Sequence, residues 1–145
     1  MALIDYAWLI PVVPFVSFAV ILLGGLLPKE KGFGSLPSTL IATAATLVSL
    51  ALSLAVFAGT WGGKGEAHVV KQVTWTTGVG KVPDLTFGVL VDPLSALMLV
   101  IVSLVAFLVH VFSKGYMNDE GETGLPRYYA GLGLFSASML AFVLA

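Results

Sequence analysis

Along one mostly apolar stretch, four side chains able to hold or share a proton fall on one side: Asp92, Ser103, His110 and Lys114. On a helix Asp92, Ser103 and His110 fall within about 20° of one another, and Lys114 lies about 40° away, which makes a polar seam. Ionisable groups at membrane depth are rare because burying charge in lipid is costly, so such a seam points first to proton movement. Its length argues against a single site. Asp92 and His110 are about 27 Å apart along the axis and cannot pair, and Ser103 alone cannot join them. Asp92 reads as a helix cap and Lys114 as a snorkelling or helix-terminal cation. His110 has two readings, a satisfied residue near a helix end or a proton relay, and it is the one proton-path candidate in the spans.

No other residues assemble a reactive site. There is no Ser/His/Asp set, no phosphate-binding glycine loop and no carboxylate pair at working distance. The chain has 2 histidines and 0 cysteines. His68 and His110 are far apart in sequence and make no metal or haem site by themselves, and thiolate, disulfide and iron–sulfur chemistry is excluded. The sequence therefore predicts no catalytic residue, no bound cofactor and no metal.

The stretch that carries the seam is itself a helix with start and stop signals. Asp92 can cap it, and Pro93 occupies the first helical position, where a missing N–H costs nothing. From Leu94 to Ser113 no charge occurs, about 30 Å of helix and the thickness of a hydrocarbon core. Lys114, Gly115 and Tyr116 are expected to close it. The composition agrees: 58% of the 145 residues are hydrophobic and 10% charged, against about 25% charged in a soluble domain. Mean hydropathy is +1.01. Lipid must be part of the solvent, and a net charge of −1 argues against nucleic acid.

Three further spans are predicted, giving segments 6–27, 37–59, 93–113 and 127–145. The first holds Pro11 and Pro14 in its opening turns and Trp8 at an interface, and ends at Pro28-Lys29-Glu30-Lys31-Gly32. It is too long and too poor in amino-terminal cations for a signal peptide. The second carries Ser38, Ala42, Ala45, Thr46, Ser49 and Ser53 on one side. This small-residue stripe reads as packing rather than as a polar pathway. In the fourth, Tyr128 and Tyr129 are expected to anchor an interface, and Gly133, Ala137, Ala141 and Ala145 form a ridge.

Between spans two and three the period changes. After Gly62, Gly63 and Gly65, residues 68–91 alternate on either side of Thr77-Gly78-Val79-Gly80-Lys81, which predicts a β-hairpin. An unclosed sheet cannot sit in lipid, so it belongs on a membrane surface, with His68, Lys71 and Lys81 as solvated residues. Lys29, Lys31, Lys114 and Arg127 fall on one side and Lys64, Lys71 and Lys81 on the other. The bias places the amino terminus and hairpin outside. The fold class is thus an all-α membrane protein of four transmembrane helices with a surface β-hairpin between helices two and three, in a single membrane region over 1–145. The apolar ending at Ala145 reads as the front part of a longer polypeptide.

Certain residues also resemble a known family. Asp92-Pro93-Leu94-Ser95-Ala96-Leu97-Met98, His110, Gly115-Tyr116-Met117, Arg127-Tyr128-Tyr129-Ala130, Leu134-Phe135 and Ser138-Met139-Leu140 are similar to the start of the largest antiporter-like subunit of respiratory complex I. This is subunit L in bacteria and chain 5 in mitochondria, and the photosynthetic enzyme has a counterpart. Ala7-Trp8-Leu9-Ile10-Pro11 with Pro14 fits the same pattern, and so does a hairpin between helices two and three. Deazaflavin-linked archaeal enzymes and the first subunit of multisubunit sodium/proton antiporters share much of it. The acidic connection Asn118 to Gly124, and Gly131 and Gly133, depart from it and leave the branch open.

The resemblance implies the front of a larger antiporter-like bundle, part of a proton-translocating subunit of an NADH (or related donor):quinone oxidoreductase. Its partners would be other membrane-arm subunits and the lipid bilayer. FMN, iron–sulfur clusters and quinone would belong to those partners. The expected setting is an energy-transducing membrane, the prokaryotic plasma membrane first, with thylakoid and inner mitochondrial membranes as alternatives. His110 matches a position often occupied by histidine in the family. The rival readings are a subunit of a multisubunit Na+/H+ antiporter and a short structural or assembly subunit.

Overall fold

A computed structural model of the protein describes residues 4–26, 35–61, 68–78, 80, 83–117 and 124–145; for Ser35, Leu36, His68 and Lys71 it describes the backbone only. The expected turn at Pro28–Gly32, the glycine lead-in at Gly62–Gly65, Val79, Lys81 and the acidic residues Asn118–Thr123 lie outside the described residues, as do the side chains of His68 and Lys71.

A 3-10 turn, Ile4–Tyr6, leads into α1 (Leu9–Leu26). α2 (Ser35–Trp61), strands β1 (His68–Thr76) and β2 (Leu85–Val91), α3 (Pro93–Met117) and α4 (Leu125–Leu144) follow. The four helices are long and apolar enough to cross a membrane. Their outward surfaces are correspondingly greasy: Phe142, Leu23, Phe112 and Leu94 stand exposed, as lipid-facing side chains would.

The interior forms two clusters at opposite ends of the bundle. At the hairpin end Ala7, Ile10, Val56, Val91, Ala96, Leu99, Leu140 and Leu144 pack together, with Val70 and Val89 of the strands against them. At the far end Ile21, Ala42, Leu125, Tyr129 and Ala130 form the second cluster. All three tryptophans belong to the hairpin end: Trp8 before α1, Trp61 closing α2 and Trp75 in β1.

Small residues let the helices approach, because close packing joins helices in lipid. The α2 stripe is turned inward: Ser38, Ala42, Thr46, Ser49 and Ser53 are buried, and Ala45 is half-buried. Ser49 donates from Oγ to the Ile10 carbonyl of α1 at 3.1 Å. The hydroxyls of Ser53 and Thr60 return to carbonyls of their own helix. On α4 the expected ridge is only half used. Gly133 and Ala137 are buried, whereas Ala141 and Ala145 are exposed. A row of four-residue steps drifts about 40° per step around a helix. Contact therefore continues through Leu140 and Leu144, whose spacing from Gly133 and Ala137 alternates four and three.

Three further expectations are corrected. Gly115 does not close α3, which runs on to Met117. α4 begins at Leu125, preceded by Gly124 in the left-handed region at φ 88°. Tyr129 is not an interface anchor: it is fully buried in the far-end cluster, whereas its neighbour Tyr128 is partly exposed. Adjacent residues point about 100° apart, so both cannot face the same surface.

The hairpin is antiparallel, with register shifts between Val69/Lys71 and Thr74/Thr76 that interrupt simple alternation. Val73 pairs with Phe87, and the Trp75 ring meets Phe87 edge-on at 5.6 Å. On the other face Gln72 Nε2 donates to Thr86 Oγ1 at 2.8 Å. Gly78 N–H donates to the Asp84 carboxylate at 2.6 Å in the connection.

Candidate functional site

The hairpin delivers the chain directly into α3, and one residue makes the joint. Ser95 N–H donates to Asp92 Oδ1 at 2.5 Å, while Asp92 N–H donates to Ser95 Oγ at 2.8 Å. Two amide donors that the first turn of a helix leaves unsatisfied are thus paired reciprocally. The Ser95 hydroxyl, and then its amide, hold the Asp92 carboxyl below the usual carboxylate range. Asp92 is a cap. Its carboxylate is committed to the helix end.

The other seam residues separate. Ser103 is buried and bonded to the Val100 carbonyl at 3.1 Å. Lys114 is exposed at the far end. His110 alone combines ring nitrogens with complete burial, at 0% exposure. Its Nδ1 lies 2.8 Å from the Ala106 carbonyl. A carbonyl only accepts, so Nδ1 carries the proton and in the neutral ring Nε2 is a bare lone pair. Nε2 is buried without a hydrogen-bond partner among the described residues.

The neighbours of His110 come from three helices. Tyr129 of α4 brings its ring to 6.5 Å between centroids, and its hydroxyl bonds Thr39 of α2. One turn after His110, Ser113 meets the Tyr128 hydroxyl of α4 at 2.9 Å. Tyr128 and Tyr129 touch edge-on at 5.3 Å. The result is a group of protic side chains, His110, Ser113, Thr39, Tyr128 and Tyr129, in the far half of the bundle. The seam on α3 gave no hint of the α2 and α4 members. The signal that could have found Tyr129 is the spacing Leu125, Tyr129, Gly133, Ser136, Leu140, which is the buried face of α4.

Among the described residues no three His, Cys, Asp or Glu side chains come together. A groove of about 270 Å³ between α3 and α4, lined by Val105, Val109, Leu132, Phe135 and Met139, is apolar apart from Ser136, whose hydroxyl is bonded to the Leu132 carbonyl. Among the described residues, the interior side chains able to exchange a proton are His110 and its hydroxyl neighbours.

Comparison with known proteins agrees with the residues that carried the resemblance. Residues 75–129 match the family described as NADH-Ubiquinone oxidoreductase (complex I), chain 5 N-terminus. The chain is 39% identical to the chloroplastic NAD(P)H-quinone oxidoreductase subunit 5 of Zygnema circumcarinatum over 97% of its own length and 19% of that protein. It is 35% identical to the chromatophore subunit 5 of Paulinella chromatophora, over 98% of its length and 21% of the relative. Against the F(420)H(2) dehydrogenase subunit L of Methanosarcina mazei it is 33% identical, over 99% of its length and 19% of the relative. The chain thus spans about a fifth of the length of these relatives.

Proposed function

The chain is related over nearly its whole length to the amino-terminal region of the complex I chain 5 family, and on that premise we propose that it serves a proton-translocating, antiporter-like membrane subunit of a quinone oxidoreductase. The observation that carries this reading is the 39% identity over 97% of the chain to a subunit of an NAD(P)H-quinone oxidoreductase.

In this reading the four helices are a wall of the proton path. Their buried faces carry small and hydroxyl-bearing residues among the larger apolar ones, and among the described residues the interior offers one imidazole, His110, with hydroxyls around it. His110 is the residue we place on or beside the path. The Val73, Trp75, Leu85 and Phe87 side chains, all exposed on the hairpin, would lie against a neighbouring subunit of the membrane arm. Electron-carrying groups, FMN, iron–sulfur clusters and quinone, would sit in partner subunits. The donor is NADH or a related reductant such as reduced deazaflavin, and the setting an energy-transducing membrane, the prokaryotic plasma membrane first.

Purification from native membranes through a tag on this chain tests the proposal. Flavin and iron–sulfur absorbance in the purified assembly, with donor-driven quinone reduction acidifying one side of vesicles, is the expected result. An assembly that exchanges cations for protons and contains neither chromophore would overturn it.

A further inference from the structure

Three buried polar atoms lack protein partners among the described residues, Ser17 Oγ on α1, Thr43 Oγ1 on α2 and His110 Nε2 on α3, and the last two belong to helices that pack together. The contacts around them fix how deep each lies. Tyr129 bonds Thr39 and rests against His110, and Ser113 meets Tyr128. α2 and α4 both run toward the hairpin end, so Thr43, one turn beyond Thr39, is level with the turn beyond Tyr129. α3 runs the opposite way. The His110 ring leans back along α3 to the Ala106 carbonyl, which brings it to the same turn of α4. The two atoms therefore lie within about one helical turn, roughly 5 Å, of a common level.

α2 and α3 pack against each other, and helical angles turn Thr43 toward that interface. α2 turns Ser49 to α1, where it bonds Ile10. Thr43 lies about 120° around the helix from Ser49 and about 40° from Thr39, on the side that meets Tyr129 and α3. The Thr43 carbonyl is occupied by the Thr46 hydroxyl at 3.0 Å, but its own hydroxyl is not engaged. The His110 lone pair can only accept, and a threonine hydroxyl can donate or accept. Leaving either unpaired in an apolar interior costs on the order of 1–3 kcal/mol. They do not bond each other directly, and they lie within about one helical turn of a common level.

We infer that the α2/α3 interface holds a bound water that donates to His110 Nε2 and is held at its other side by Thr43 Oγ1. The site joins the bare imidazole nitrogen to α2 through one exchangeable molecule. It lies deeper than the Ser113–Tyr128 and Thr39–Tyr129 hydroxyl pairs, which separate it from the far-end surface. The inference concerns a ligand of this chain and stands whether or not the subunit pumps protons.

Magic-angle-spinning NMR of the 145-residue chain in lipid bilayers tests it, with labelled histidine and His68→Asn so that His110 gives the only imidazole signals. The expected spectrum has a protonated Nδ1, an unprotonated hydrogen-bonded Nε2, and magnetisation transfer from water to Nε2. Thr43→Val should abolish that transfer while leaving the Nδ1–H signal in place, and Thr43→Ser should keep it. The unchanged Nδ1–H signal certifies that the helix contact has survived the substitution. Absence of water transfer in the parent chain, direct contact between the Thr43 hydroxyl and Nε2, or transfer that persists in Thr43→Val would each overturn the inference.

Discussion

Gly133 is where α4 rests on α1, and enlarging it in two steps should move stability in opposite directions. A Cβ built there would meet the Pro14 carbonyl oxygen at 3.5 Å and the Cβ and amide nitrogen of Phe18 at 3.8 Å. These are ordinary contact distances, so alanine fits without moving the backbone. Gly133→Ala also removes the entropic cost of glycine inside a helix, about 0.5–1 kcal/mol. It should therefore be neutral to stabilising. Leucine adds three more carbons on the same line, into the α1 backbone, and forcing side chains into a packed contact costs about 1–3 kcal/mol. Both substitutions remove the glycine cost, so they should differ by the overpacking alone, roughly 1–3 kcal/mol, about five- to 150-fold in the unfolding equilibrium. Reversible unfolding in mixed micelles, followed by circular dichroism, measures this. A leucine variant as stable as the alanine one would show that α4 does not bear on α1 at that turn, and the packing argument would fail.

Other substitutions probe single contacts. Asp92→Ala should lower stability by about 0.5–2 kcal/mol, toward the smaller figure because the cap is half-exposed, and Asp92→Asn by less. The Asp92 carboxyl is held below its unfolded value. Its contribution is therefore complete above the unfolded pKa of about 4 and fades as pH falls through the folded value; an acid-side stability slope that survives in Asp92→Asn would dismiss this linkage. Ser49→Ala, which removes the bond to Ile10, should cost about 0.6 kcal/mol and no more than about 1.7 in the same unfolding assay. Under the proposed function, His110→Gln in the intact assembly should lower the proton-to-electron ratio while quinone reduction continues; an unaltered ratio takes His110 off the path.

Much of this architecture can be read from spacing because lipid imposes simple conditions. The α2 stripe from Ser38 to Ser53 faces inward, as small residues must where helices touch, and Asp92-Pro93 begins α3 with its carboxylate in place. Local signals failed where a distant contact decides. Gly115 reads as a helix end, but α3 continues through it to Met117, which packs beside the Tyr129 cluster. The Tyr128-Tyr129 pair reads as an interfacial anchor, yet the turn geometry sends one ring to the surface and the other to the centre. The site shows the same division. His110 stands out in the sequence as the one proton-path candidate of the spans, but its surroundings, Tyr129 and, through it, Thr39, come from helices whose register no periodicity on α3 can specify.

The gathering of Trp8, Trp61 and Trp75 at the hairpin end makes the chain's indole fluorescence a one-sided reporter. Trp61 and Trp75 are 78% and 73% exposed, and Trp8 36%, so a membrane-impermeant collisional quencher would dim them from one face of an oriented vesicle and spare them from the other. Emission would give the direction of insertion without any label. It would also be blind to events around His110, where an indole would have to be introduced before light could follow them.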